Sequence, residues 1–425
     1  MIGGVAGQRG DRVPASDAFF LHVESAAAPH HVGGLIMIDT SRAAGPPTRE
    51  RAVEQIREKL GELPRFRQRL SEPSRWRRPR WVPHEELDWS WHVREIDLSG
   101  PDGRPGGMAA LHELVAELSA QLLPRDRPLW RIFVVTGVEE HVGAVINLVH
   151  HAVADGIGTV NLMLNLFDSP DLTAGMDGSA FPGRARRILG GVAGLAQLAT
   201  DRRPKTRLPV SDTARRRFAT LPLDLDSVRA LARSRGARVT DLLLCGTAGA
   251  IQRVADCPLP STLLVNVPLL AAEIRPGREG NVTAGVMVEV PLGAMPESDR
   301  LAAIVKATKR LRTGTRVIAS RFVMTTLAGL MPPVLHAWFA RAVYGGRFFG
   351  GTVSNMPGAT WQATALREYP LITAYPIIPI APGTPFVVGV LGWYGVFSLT
   401  VATDPAFVDD AERFVDEFQK VLDEL

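Results

Sequence analysis

The chain has 425 residues, 46% of them hydrophobic and 22% charged, with only two cysteines. That apolar fraction excludes disorder over the whole length, and Cys245 and Cys257 alone make no disulfide scaffold, thiolate zinc ribbon or iron–sulfur site; they fit a reducing compartment. Forty-eight basic residues, 43 of them arginine, face 44 acidic ones, a near balance that leaves no case for nucleic acid beyond the high isoelectric point.

At ~100–200 residues per domain the length indicates two domains. The Gly-rich opening, residues 1–12, carries no apolar h-region, so no signal peptide is visible. Ser16 is expected to cap a short helix over 17–22, and Val32–Asp39 reads as a buried strand. Thr48–Leu63 has helical spacing behind a Thr cap, with Val53, Ile56, Leu60 and Leu63 on one face. Pro64–Trp81 holds seven arginines and one glutamate. A helix over Met108–Leu123 precedes a loop, then strands Trp130–Thr136 and Val142–His150 form a hairpin, and Gly156–Phe167 is helical again. From Gly183 to Arg217 ten Lys/Arg face Asp201 and Asp212, with Pro204 and Pro209, which reads as a basic linker with an amphipathic piece over 185–200. Helices are expected at Leu225–Arg235, Thr240–Val254 and Ser298–Arg312, within 319–343, and at Val408–Leu425. Strands are expected at Ser261–Val267, Val282–Pro291, Thr352–Asn355, Phe386–Leu391 and Val396–Thr403. An uncharged stretch from Tyr369 onward is broken by Pro370, Pro376, Pro379, Pro382 and Pro385, which argues against a membrane span. Helices and strands mixed in both halves predict an α+β fold of two mixed-sheet units. The expected division is 1–182, a linker over 183–217, and 218–425.

One constellation carries chemistry: His150-His151-Ala-Val-Ala-Asp155-Gly156, where an apolar strand gives way to a helix. Adjacent side chains at a strand end point to opposite sides, so one histidine can face a cleft while the other is held in the structure. A neutral imidazole suits proton abstraction near neutral pH, Asp155 is placed to orient a histidine or pair with an arginine, and Gly156 permits close backbone approach. Two satisfied core histidines are an equal reading from the residues alone. Zinc would want a third ligand and helical His spacing, and there is no His-Glu-x-x-His, Gly-x-Ser-x-Gly elbow, dinucleotide fingerprint or Walker loop.

This motif resembles the active-site signature of the condensation-domain and chloramphenicol-acetyltransferase-like acyltransferases. More narrowly, six segments in order resemble the bacterial wax ester synthase/diacylglycerol acyltransferase family. They are Pro14–Leu21 with His31-Val-Gly33-Gly34; Phe66–Leu70 with Trp81 and His92; Pro128-Leu-Trp130; the histidine motif; Gly280-Asn281 with 286–291; and Val353-Ser354-Asn355-Met356-Pro357-Gly358. Val401–Asp404 and the closing helix also follow the pattern. Departures are His30 where a Met is usual, Gly358-Ala359, and Gly392-Trp393-Tyr394-Gly395; they bear on the acceptor rather than the reaction.

The resemblance implies two chloramphenicol-acetyltransferase-like units with a channel between them. It implies acyl transfer from a thioester directly onto an acceptor, with no acyl-enzyme. His151 would be the general base, with His150 supporting, Asp155 structural and Gly156 keeping the channel open. Asn281, Ser354 and Asn355 from the second half would contact substrate or steady the oxyanion, and Trp130 is a further candidate in which packing outweighs substrate contact. No cofactor is implied. Acyl-CoA, or an acyl carrier protein, would be the donor, and a long-chain alcohol or diacylglycerol hydroxyl the acceptor. Tailoring acylation of a secondary metabolite and a non-catalytic binding module are the alternatives. A cytoplasmic location is expected, with peripheral membrane contact through the basic segments.

Overall fold

In the computed structural model the described residues are 10–167, 207–270, 283–311 and 328–425, apart from 357, 360, 362 and 367. Among the described residues there are two six-stranded mixed sheets, each with helices packed on it, and one two-stranded sheet. The expected α+β architecture is therefore present.

In the first half, α1 (Ala15–Val23) leads into β1 (His31–Asp39) and α2 (Arg49–Lys59). Thr48 caps α2, its hydroxyl accepting from the Arg51 amide at 3.4 Å. Ser16 does not cap α1, contrary to expectation: the helix already starts at Ala15, and the Ser16 hydroxyl donates to Asp17 at 3.1 Å. A small hairpin, β2 (Gln68–Leu70) with β3 (Trp81–Pro83), occupies the basic segment. One turn, α3 (Trp89–His92), precedes β4 (Val93–Asp97) and α4 (Gly107–Ser119). The hairpin β5 (Trp130–Glu139) and β6 (Val142–His150) then runs into α5 (Gly156–Leu166). The short β4 has no clear alternation and went unrecognised in the sequence; it joins the edge parallel to β5.

The second half opens with β7 (Arg217–Asp224), α6 (Leu225–Ser234) and α7 (Val239–Val254). It continues through β8 (Thr262–Leu270), β9 (Thr283–Pro291), α8 (Glu297–Leu311) and α9 (Pro333–Val343). Then follow β10 (Gly351–Met356), β11 (Thr364–Ala365), β12 (Tyr369–Ile377), β13 (Phe386–Trp393), β14 (Val396–Thr403) and α10 (Ala411–Asp423). The second sheet runs β7-β14-β13-β10-β8-β9, with β10 parallel to both neighbours. Its core packs α7 against α10, where Phe418 sits so close to Gly246 that a Cβ there would come within 2.5 Å of the ring.

The first sheet runs β11-β12-β1-β6-β5-β4, so two of its strands come from the second half. The proline-broken stretch from Tyr369 thus contains a strand, which the sequence did not reveal. Pro370 lies beyond Leu371, the last β12 residue that pairs with β1, so its missing N–H costs no ladder bond on that side. Thr373 meets Ser398 at 2.7 Å and the Thr400 hydroxyl donates to the Pro376 carbonyl at 2.9 Å, which joins the two sheets through β12 and β14. His112 on α4 adds a second tie, with Nδ1 2.7 Å from Glu412 and Nε2 3.0 Å from the Thr220 hydroxyl. Among the described residues no helix is long and apolar enough to cross a membrane.

Candidate active site

Strand β6 pairs with β1 so that His150 stands opposite His31. The His150 amide bonds to the Leu129 carbonyl at 3.0 Å, and the His151 amide to the His30 carbonyl at 2.8 Å. The backbone then turns, with the Val153 amide returning to the His150 carbonyl at 2.8 Å. Asp155 is buried at the start of α5, and its carboxylate accepts from the Gly158 amide at 2.9 Å, capping the helix. The structure therefore accounts for Asp155 as the group that sets where α5 starts and so shapes the turn holding the histidines.

The two histidines are separated as the strand-end geometry predicts. His150 is fully buried. Its Nδ1 accepts from the Ala152 amide at 2.9 Å, which places the ring proton on Nε2, and Nε2 lies 3.2 Å from Glu24 Oε1. Glu24, beyond the end of α1, also accepts from the His30 amide at 3.3 Å and from Arg125 at 2.9 Å. Burial would raise its carboxyl, but His150 and Arg125 outweigh that and hold it below the usual carboxylate range. Burial pushes the neighbouring imidazoles the other way: His30 down to about 3 and His31 to about 4.

His151 is half-buried, its ring stacked on Phe20 with centroids 3.9 Å apart and planes 11° from parallel. Phe20 in turn meets Tyr344 edge-on, and α1 packs on α9 through Phe19, Phe20, Val23 and Ala340. One face of the catalytic candidate is thus fixed by an aromatic shelf that both halves build.

Beside this turn lies a small, partly open cavity of about 40 Å³, lined from β1, β6, β12, α5 and the ends of β10 and β13. Gly156 lies at its edge. A Cβ there would come within 2.5 Å of Met356 Sδ, so glycine is what lets β10 approach α5. The lining is almost wholly apolar, including Val32, Ile36, Met163, Phe167 and Leu391.

Of the expected site residues, His150, His151, Asp155 and Gly156 come together here. Asn281 lies outside the described residues. Ser354 is buried on β10; Asn355 is exposed, with its amide 3.3 Å from the Thr240 hydroxyl at the start of α7. It is the next residue, Met356, that reaches the cavity. Trp130 is a correction. It is 1% exposed, its indole donates to the Phe66 carbonyl at 3.1 Å, and it is stacked between Phe66 and His92, so no surface of it is left for substrate. Glu24, Phe20 and Met356 were missed by sequence reasoning. Glu24 is the one with a signal: an acid seven residues after Asp17 and six before the His30-His31 pair that leads into the apolar strand.

Residues 14–186 match the wax ester synthase/diacylglycerol acyltransferase catalytic domain, and residues 279–425 match the corresponding C-terminal domain. A Mycobacterium tuberculosis (H37Rv) protein provisionally named a diacylglycerol O-acyltransferase is 24% identical over 446 aligned residues, covering 94% of this chain and 92% of its own. Among solved structures, a wax ester synthase/diacylglycerol acyltransferase from Marinobacter aquaeolei VT8 superposes with a TM-score of 0.67 at 22% identity, covering 97% of this chain and 98% of that one. The starter condensation domain of rhizomide synthetase, solved with C8-CoA and Leu-SNAC, gives 0.64 at 14% identity, covering 98% and 93%.

Proposed function

Because the chain belongs to the wax ester synthase/diacylglycerol acyltransferase family, a family of acyltransferases, we propose that it transfers an acyl group from acyl-CoA directly to the hydroxyl of a long-chain alcohol or diacylglycerol. The observation that carries this reading is the pairing of the His150–His151 turn with an apolar cavity built by both halves.

His151 is the general base. Its imidazole takes the proton of the acceptor hydroxyl as that oxygen attacks the thioester carbonyl. The tetrahedral intermediate collapses with cleavage of the carbon–sulfur bond, and the departing thiolate takes up a proton to leave as free coenzyme A. Stacking on Phe20 fixes the ring plane, which limits the base to one approach. His150 acts through the backbone: tied to Ala152 and Glu24, it holds the turn from which His151 projects. Asn281, Ser354 and Asn355 are proposed to supply polar contacts to substrate from the second half. The apolar lining beyond Gly156 marks where the acyl chain enters, since an apolar chain leaving water gains about 0.8 kcal/mol per CH₂. No enzyme nucleophile is needed. Cys245, the buried thiol, is pushed up to about 12 by burial and the nearby Glu297 carboxylate, which keeps it un-ionised.

The test is release of free thiol from palmitoyl-CoA when hexadecanol or a diacylglycerol is supplied. His151→Ala is expected to keep its circular dichroism spectrum and lose at least about 10²-fold in rate. Full activity in that variant would remove His151 from the mechanism. Thiol release only with a non-lipid hydroxyl acceptor would replace the lipid acceptor with a tailoring one.

A further inference from the structure

The cavity is apolar in its lining, yet three of its side chains carry buried polar atoms with no partner among the described residues. These are Oδ1 and Nδ2 of Asn147, Oγ1 of Thr159 and Nε1 of Trp393. All three residues are 2% exposed or less. Folded proteins pair the great majority of buried polar atoms with protein, water or ligand, so four such atoms on one cavity mark a polar spot that an oxygen atom can fill.

Their placement is specific. Asn147 is central in β6, and its neighbours on the same face, Val145 and Val149, belong to the apolar core. Across the ladder stands Gly34, where a Cβ would come to 3.1 Å of Asn147 Oδ1. The missing side chain on β1 therefore leaves the amide uncovered toward the cavity. Thr159 reaches the same space from the first turn of α5, and Trp393 from the end of β13. Thr159 has a valine-shaped side chain and Asn147 a leucine-sized one, so apolar residues would fill both positions without a change of volume.

We propose that this cavity selects acyl chains bearing an oxygen substituent, a hydroxyl or keto group, and that Asn147, Thr159 and Trp393 recognise it. The inference rests on the reading that the acyl chain enters here. The amide, hydroxyl and indole supply N–H and O–H donors for an oxygen, while Asn147 Oδ1 accepts the proton of a hydroxyl. Asn147 lies four residues before His151, about 13 Å along the strand direction, so the substituent sits in the middle of the chain, well away from the thioester. A site built around hydrogen bonds to a hydroxyl disfavours the chain that lacks it, because its own polar groups are then left unpaired.

The test compares stearoyl-CoA with 12-hydroxystearoyl-CoA, by calorimetric binding and by thiol release in competition. The wild-type protein is expected to bind the hydroxylated chain about tenfold more tightly. Thr159→Val, which keeps the shape and removes only the hydroxyl, is expected to erase most of that preference, and so is Asn147→Leu. Asn147→Leu is also expected to raise the melting temperature of the ligand-free protein, because it removes a buried unpaired amide. Should Asn147→Leu fail to fold, Thr159→Val carries the comparison alone. Equal binding of the two chains by the wild type, or a preference unchanged in Thr159→Val, overturns the proposal even if turnover is brisk. Discriminating binding without thiol release supports the subsite and overturns the transfer reading instead. Binding of neither chain overturns both.

Discussion

Glu24 is the residue on which the histidine turn depends. It joins α1 to the end of β6 by pairing with His150 and Arg125 and by accepting the His30 amide. Glu24→Gln keeps the size and one acceptor but weakens the hold on His150. The expected result is a fall in kcat of up to about 10²-fold with little change in KM, because misplacing His151, the proposed base, costs rate rather than binding. A merely structural role would instead lower stability and leave the rate per folded molecule unchanged. The buried imidazoles set a second, separate expectation. His30, about 3, and His31, about 4, stay neutral in the fold, whereas both titrate near 6.5 when unfolded. The unfolded state therefore binds more protons between those values, so stability is full above about pH 6.5 and falls as the pH drops toward 4, by up to about 3 kcal/mol for each. Glu24, depressed below the usual carboxylate range, adds its own loss only at lower pH, as it protonates. Melting temperatures measured from pH 7.5 to 4 should decline from near 6.5 downward. A flat profile across that window would mean that the imidazoles take up protons in the fold as readily as in the unfolded chain.

At the scale of elements, two opposed effects meet where α7 crosses α10. Alanine is the better helix former, so Gly246→Ala gains up to about 1 kcal/mol by propensity. The same Cβ must enter the ring of Phe418, and overpacking a filled core costs about 1–3 kcal/mol. Packing is expected to win: Gly246→Ala should be destabilised in urea by about 1 kcal/mol or more, and Gly246→Ala combined with Phe418→Leu should recover part of the loss. A stabilised single variant would show that the helices shift apart without penalty. This pair also shows what patterning conveyed. Apolar spacing marked both helices in the sequence, but that they cross at Gly246 depended on the second sheet. The missed strands follow the same logic. β4 and β12 lack clean alternation, and what makes them strands is the neighbour each finds, β5 and β1 respectively.

At the scale of the molecule, the two halves are interlocked, with β12 inserted beside β1 and the cavity walled by both sheets. One outer face suits the lipid acceptor proposed above. Helix α9, whose inner side supports Phe20 behind His151, leaves Val334, Leu335 and Trp338 exposed on its outer side. Leu330 and Trp76 are exposed close by, since Arg78 from the β2–β3 hairpin donates to the Gly329 carbonyl, and Arg75 and Arg77 flank Trp76. An apolar patch rimmed by arginine suits an anionic lipid surface. Co-sedimentation with phosphatidylglycerol vesicles is expected for the wild type, and Trp338→Ser together with Trp76→Ser should weaken it by about tenfold or more while leaving turnover of a soluble short-chain alcohol intact. Undiminished vesicle binding by the double variant would move the contact elsewhere.

The sequence by itself determined the class of the fold, most of the elements, the reaction family and the position of the histidine turn. These depend on local pattern: strand alternation, helical spacing, and a motif whose parts lie within seven residues. Tertiary structure alone decided that Glu24 fastens His150, that Phe20 backs His151, that Trp130 is spent on packing, and that Met356 rather than Asn355 reaches the cavity. It also decided that Asn147, an unremarkable polar residue within an apolar strand, lines a cavity opposite a glycine. Each of these is a meeting of residues far apart in the chain, and neither periodicity nor composition records which distant side chains will share a boundary once two sheets close on each other.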